Sequence, residues 1–254
     1  MFTVLPIRAF EDNYIWLLHN GQHAVVVDPG EASPVLAALA QHGLRLSAIL
    51  VTHRHGDHVE GIAELLAHFP VPVFGPAHEP IPGLTHPVGE GDFIELPDLA
   101  VSLKVLDVPG HTAGHVAYYG GNSLFCGDTL FACGCGRIFE GTPPQMYASL
   151  QKLAHLPEGT AVYCAHEYTL SSIRFAKSVE PDNQALLERE ERDKAAVAAG
   201  RPTLPSTIAL EKLTNPFLRC EEPKVMQSVS RYSGKALLTS VEVFAALRQW
   251  KDKF

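Results

Sequence analysis

Seven consecutive residues, Thr52-His53-Arg54-His55-Gly56-Asp57-His58, crowd three imidazoles and a carboxylate onto the end of the apolar run Ala48-Ile49-Leu50-Val51. Neutral imidazole and carboxylate are the ligands that borderline divalent cations accept. A strand that stops in such a cluster points to a metal site at a sheet edge. A chain with 13 histidines will cluster some of them by chance, and a His-rich loop is ordinarily just solvated. The spacing weighs against that reading: His at i and i+2, then Asp and His at i+4 and i+5, lets a short loop aim two groups at one ion and two at a neighbour.

The pattern recurs. The run Val101 to Leu106 leads into Gly110-His111-Thr112, Ser123 to Cys126 into Gly127-Asp128-Thr129, and Ala161 to Ala165 into His166-Glu167-Tyr168. Sites in α/β sheets are assembled from residues just beyond the carboxyl ends of strands, so four such endings are expected to converge on one edge. His115 competes with His111 for the third segment; Pro109-Gly110 places His111 in the sharp turn, whereas His115 opens the next strand, and His111 is favoured.

Counted as a coordination problem, His53, His55 and His111 suit one ion, Asp57, His58 and His166 a second, and the two oxygens of Asp128 can bridge them. Such a pair lowers the pKa of a bridging water and positions it as hydroxide for attack on a carbonyl or phosphoryl centre. Asp57 would then act both as a ligand and as the carboxylate orienting that hydroxide. The chemistry implied is hydrolysis, and no G-x-S-x-G elbow offers a serine route. Asp28, at the end of Ala24-Val25-Val26-Val27, reads equally as a turn residue of Asp28-Pro29-Gly30 and as a carboxylate behind the metal ligands, orienting a histidine.

The remainder of the first half supports a layered α/β architecture. Thr3 to Ile7 and Tyr14 to Leu18 read as strands, and Asn20-Gly21 marks a hairpin into Ala24 to Val27. Ser33-Pro34 is expected to cap and open a helix that His42-Gly43 closes, a second helix runs from Ile62 to His68, and Val71 to Phe74 resumes strand character. After about residue 170 the pattern turns helical. Asn183 to Gly200 is charged and alanine-rich, Ser206 is expected to cap a further helix, and Ser240 to Phe254 is amphipathic, with Val241, Phe244, Leu247 and Trp250 or Lys251 on one side. The expected division is 1–168 for the α/β domain and 169–254 for a smaller all-helical one.

At 254 residues and 46% hydrophobic content the chain can bury a sizeable core. A formal net charge of -8 disfavours nucleic acid and anionic membrane as partners. No apolar run approaches a membrane span, and Met1-Phe2-Thr3-Val4 enters a strand-like run without a leader, so a cytoplasmic protein is expected, monomeric by default. Cys126, Cys133, Cys135, Cys164 and Cys220 are odd in number and lack a C-x-x-C pair, which reads as reduced, mostly buried thiols.

Taken together, the four endings resemble the metallo-β-lactamase fold superfamily. Within it, Cys133-Gly134-Cys135-Gly136-Arg137-Ile138-Phe139-Glu140-Gly141, Pro205-Ser206-Thr207 and Asn215-Pro216-Phe217-Leu218-Arg219 are similar to the glyoxalase II, or hydroxyacylglutathione hydrolase, family, helical tail included. The resemblance implies an αββα sandwich with a C-terminal helical domain over the substrate, two divalent ions per chain with zinc foremost and iron or manganese as alternatives, and hydrolysis of S-D-lactoylglutathione to D-lactate and glutathione. It also implies glutathione contacts from Arg137, Phe139, Tyr168, Arg248 and Lys251. Local cations suit an anionic ligand on an acidic protein. Without the resemblance, Arg248 and Lys251 would read as cations complementing a helix C-terminus. The family commonly has Lys at position 137 and Tyr at 139, so Phe139 lacks a phenolic donor. The alternative within the superfamily is a persulfide dioxygenase or another hydrolase.

Overall fold

Strands form at the start of the chain because β-branched and aromatic residues alternate between turn signals. In the computed structural model, which describes residues 2–254, β1 (Thr3–Ala9), β2 (Asn13–His19) and β3 (His23–Val27) pair antiparallel in order. The Asn20 Oδ1 accepts the amides of Gln22 and His23 at 3.0 and 2.9 Å, which turns the chain between β2 and β3. From β3 onward the sheet grows in parallel: α1 (Ala32–His42) leads to β4 (Arg45–Leu50), α2 (Gly56–Val59) and α3 (Ile62–His68) lead to β5 (Val73–Pro76), and β6 (His86–Val88) completes the edge. Gly43 ends α1 in the left-handed region at φ 63°, where its amide satisfies the last carbonyls of the helix.

This sheet is buried on both faces. Ile15, Leu17, Val26, Ile49 and Val51 pack with Val35 and Leu39 of α1 and Ile62 and Leu65 of α3. On the opposite face Trp16, Leu18, Val25, Val27 and Leu50 are equally excluded from water. Each such side chain contributes about 1.5–3 kcal/mol of transfer free energy. A second, antiparallel set follows, β7 (Phe93–Leu96), β8 (Val101–Asp107), β9 (Val116–Gly120) and β10 (Ser123–Gly127), paired in that order. The Tyr118 hydroxyl of β9 donates to the Val51 carbonyl, tying the two sheets together. These elements belong to one compact unit, Met1–Asp107 with Gly114–Gly127.

The other unit, Val108–Ala113 with Asp128–Phe254, is mainly helical. It opens with a two-stranded ribbon, β11 (Leu130–Phe131) and β12 (Gly134–Cys135), and continues through α4 (Pro143–Ala154), β13 (Ala161–Cys164), α5 (Thr169–Val179) and α6 (Gln184–Ala198). A short β14 (Ser206–Thr207) pairs antiparallel with β13, and α7 (Ile208–Thr214), α8 (Pro223–Ser233) and α9 (Ser240–Asp252) complete the chain. Phe175 stacks on Phe217 at 6.0 Å and Phe244 meets Phe217 edge-on at 5.8 Å, forming its aromatic centre. Reciprocal Thr–Gln and Thr–Glu caps start α4 at Thr142 and α9 at Thr239.

Three local expectations are corrected. Ser33 does not cap α1: the helix begins two residues earlier than expected, at Ala32, with Glu31 at the cap and no side-chain bond there. Ser206 does not cap α7 either, since Thr207 supplies that bond while the Ser206 hydroxyl is drawn inward to Glu211. The buried side of α9 is Val243, Phe244, Leu247 and Arg248, so the apolar stripe is rotated from the expected one and takes an arginine with it.

Candidate metal centre

The chain turns out of β4 at Thr52, and a neighbouring carboxylate fixes the turn. Asp28, buried at the end of β3 with φ 55°, accepts the Thr52 amide at 2.7 Å, the Thr52 hydroxyl at 2.8 Å and His58 Nδ1 at 3.0 Å. A carboxylate only accepts, so Nδ1 of His58 carries the proton and its Nε2 keeps the lone pair. The Thr52 hydroxyl, committed to Asp28, can only accept from His53 Nδ1 at 3.1 Å. That places a lone pair on His53 Nε2, which lies 3.0 Å from His55 Nδ1. His115 stacks on the His53 ring at 4.6 Å and braces it. Asp57 is part-exposed; its Oδ2 accepts from Asn13 Nδ2 at 2.9 Å and lies 3.5 Å from His58 Nε2.

A second group of side chains gathers in the other unit. His111 donates from Nδ1 to the Arg137 carbonyl at 2.7 Å, which leaves Nε2 as its lone pair, 3.3 Å from Asp128 Oδ2. The other Asp128 oxygen is 3.4 Å from His166 Nε2. One carboxylate thus faces two imidazoles, one through each oxygen. His166 stacks on Tyr168 at 4.7 Å with the rings nearly parallel, and Phe131 meets both edge-on. Phe139 is 59% exposed and stands edge-on to His111 at 5.2 Å.

Two of the basic residues share one acid. Arg137 is largely exposed, with Nε 3.5 Å from Asp252 Oδ1, and the same oxygen is 3.0 Å from a terminal nitrogen of Arg248. Arg248 is buried, gives its other terminal nitrogen to the Cys135 carbonyl at 2.8 Å and lies over the Phe217 ring. Lys251 rests on the rings of Phe175 and Phe254. Burial, and then the charges of Arg248 and Arg174, hold its amine well below the ordinary lysine range, at about 8.

Each of His53, His55, Asp57, His58, His111, Asp128 and His166 belongs to a group of histidine and aspartate side chains whose ligand atoms lie within 4.8 Å of one another. The donor set is all imidazole nitrogen and carboxylate oxygen, with ring protons turned away from the ligand atoms of His53, His58 and His111, as a divalent cation requires. The cysteines take no part: all five are buried without a disulfide, and burial pushes the thiols of Cys133 and Cys164 up to about 12. Two contributors had no signal in the sequence. Asn13 reads as a strand boundary, yet holds Asp57; Glu79 reads as part of a turn-rich loop, yet its carboxylate accepts the Arg54 amide at 2.6 Å and the Gly114 amide at 3.1 Å, buttressing the His-rich loop from behind.

Two family models match the chain, one after the other. The metallo-beta-lactamase superfamily model matches residues 9–166, and the model for the hydroxyacylglutathione hydrolase C-terminus matches residues 167–254. The hydroxyacylglutathione hydrolase of Nitrosomonas europaea is 58% identical over 254 residues, covering 100% of this chain and 97% of that relative. That of Aliivibrio fischeri is 57% identical over 256 residues, with both chains covered completely. Among solved structures, ETHE1 from Myxococcus xanthus superposes with a TM-score of 0.66 at 24% identity, over 99% of this chain and 98% of that one, a likeness of fold. TTHA1623 in a di-iron-bound form gives 0.61 at 29% identity, over 84% of this chain and 100% of that one.

Proposed function

The chain belongs to the hydroxyacylglutathione hydrolases, thioester hydrolases on the metallo-β-lactamase fold, and from that premise we propose that it converts S-(2-hydroxyacyl)glutathione, chiefly S-D-lactoylglutathione, to the free hydroxy acid and glutathione. The observation that carries the reading is Asp128, whose two oxygens face His111 Nε2 and His166 Nε2. The fold and its histidine and aspartate cluster support divalent metal ions. In the proposed centre His53, His55, Asp57, His58, His111, Asp128 and His166 would hold two divalent ions, zinc foremost, with iron or manganese as alternatives. Bound there, the ions supply a water activated near neutral pH and a Lewis acid for the thioester carbonyl.

The chain's own residues do the rest. Asp57, steadied by Asn13, orients the attacking water, and Asp28 keeps His58 in the tautomer that presents Nε2. The glutathione moiety lies against Phe139 and Tyr168, its carboxylates drawn to Arg137, Arg248 and Lys251. The proposed boundary puts the catalytic domain at 1–168 and the helical, glutathione-contacting domain at 169–254. Among the described residues no helix is long and apolar enough to cross a membrane, and the proposed setting is a monomer in the cytoplasm, without nucleic acid as partner.

The test is metal analysis of the purified protein beside thiol release from S-D-lactoylglutathione. Two equivalents of metal and one thiol per thioester consumed are expected. A metal-free protein that is inactive and stays so after zinc or iron is added would overturn the reading, and oxygen uptake with glutathione persulfide in place of thioester cleavage would assign the site to dioxygenase chemistry.

A further inference from the structure

Between Asp128 and Arg137 the chain makes the β11–β12 ribbon, and the base of this ribbon is built into the candidate centre. The Gly136 amide donates to the Thr129 carbonyl at 3.1 Å. Gly136 lies so close to Asp128 that a Cβ would come within 1.9 Å of the Asp128 carbonyl, and 3.2 Å from His111 Nδ1. The next carbonyl, that of Arg137, receives the His111 Nδ1 proton. Any displacement of the ribbon base therefore moves Asp128 and His111 together.

The tip of the ribbon is not a relaxed turn. Cys133 sits at φ 55°, the left-handed region that a side chain disfavours. Two side chains of the helical region hold it there. Glu211, fully buried, accepts the Cys133 amide on Oε2 at 2.9 Å. Asn215, also fully buried, donates from Nδ2 to the carbonyls of Phe131 at 3.1 Å and Gly134 at 2.9 Å, and to Glu211 Oε2 at 3.0 Å, while its Oδ1 is locked by the Phe217 amide at 3.1 Å. Behind them, Glu211 Oε1 pairs with Arg189 at 2.7 Å, and Arg189 continues to Asp193 at 3.3 Å and the Thr214 hydroxyl at 2.6 Å. Burial disfavours the charge on this guanidinium, but Glu211 and its other neighbours more than offset that and hold its pKa above the ordinary arginine value.

A buried ion pair is a poor device for stability as such, because an apolar pair of similar volume often serves as well. What this one does is direct: it fixes a carboxylate oxygen and an amide group against three backbone atoms of the ribbon. We propose that Glu211 and Asn215 are positioning residues for the metal ligands Asp128 and His111, acting through the ribbon. The inference rests on the hydrolase reading given above.

The test compares Asn215→Asp, which keeps the shape and removes the donors, and Glu211→Gln, with Asp193→Asn, whose hydrogen bonds run to Arg189 and Arg192. Zinc affinity is measured by chelator competition on protein shown to be folded by circular dichroism, and Tm by thermal unfolding. Asn215→Asp and Glu211→Gln are expected to bind zinc at least about tenfold more weakly. Asp193→Asn is expected to lower Tm with zinc affinity within about twofold of the parent. An Asn215→Asp protein with parental zinc affinity, or an Asp193→Asn protein that loses as much as the other two, overturns the proposal. Hydrogen exchange on the unsubstituted, metal-free protein gives a second reading: the Cys133 amide is expected to be protected before zinc is added. Exchange at the rate of an unstructured amide until zinc arrives would show that metal, and not Glu211, orders the ribbon, and would equally overturn it. Failure of the unsubstituted protein to bind zinc and release thiol would remove the hydrolase reading itself.

Discussion

Replacing Asp28 with asparagine removes one charge and one acceptor from a point where three donors converge: the Thr52 amide, the Thr52 hydroxyl and His58 Nδ1. The amide can still accept the Thr52 N–H through its oxygen. Its NH2 then faces the Thr52 hydroxyl and His58 Nδ1, where the present arrangement needs an acceptor. Thr52 can rotate, but His58 can only receive this new donor on Nδ1, so its proton moves to Nε2 and the lone pair leaves the atom nearest Asp57. Loss of such a partner behind a ligand histidine costs about 10–100-fold in metal affinity, or about 1.4–2.7 kcal/mol. Loss of a charge-assisted hydrogen bond in a buried site adds about 1.5–3 kcal/mol of lost stability. Chelator competition with zinc at pH 7.5, with Tm measured on the metal-free protein, reads the two effects separately. An Asp28→Asn protein that holds two zinc ions with affinity within twofold of the parent would refute the tautomer argument, whatever its Tm.

Phe139→Tyr restores a donor at an exposed ring edge-on to His111, and one neutral hydrogen bond at a wet site is worth about 0.5–1 kcal/mol, so KM for S-D-lactoylglutathione is expected to fall about 2–5-fold with kcat unchanged. An unchanged KM would show that the missing hydroxyl has no role. Lys251 is cationic below about pH 8 and loses its charge above it; an anionic ligand favours the charged form, so KM is expected to rise as pH climbs past 8. Lys251→Met should bind more weakly below pH 8 and lose that rise, and a rise of the same size in the variant would assign it elsewhere. Tyr118→Phe leaves the Val51 carbonyl without its donor between the sheets and is expected to cost about 1–3 kcal/mol, read as a lowered Tm; a Tm unchanged within error would show that the bond has no net worth.

The candidate ligands were legible because each stands just beyond an apolar run, and a strand end is where period-two patterning stops and chemistry begins. The helical tail was legible from its charged, alanine-rich and amphipathic segments. Asn13 and Glu79 were not, because their work is done on residues 44 and 25 positions away and leaves no local pattern. Ser33 and Ser206 carried good capping chemistry in the sequence and lost to context: the helix began at Ala32 in one case, and a buried carboxylate took the hydroxyl in the other. The α9 face was misjudged because a periodicity argument assigns arginine to water, whereas Arg248 is held inside by Cys135 and Asp252.

Asp252 sets the resting charge of the region where the glutathione carboxylates are proposed to lie. It already neutralises Arg248 and stands within reach of Arg137. A carboxylate arriving at these arginines would therefore compete with a counter-anion already in place instead of meeting bare cations. Exchange of this kind would moderate both the gain on arrival and the loss on departure, compared with two uncompensated arginines.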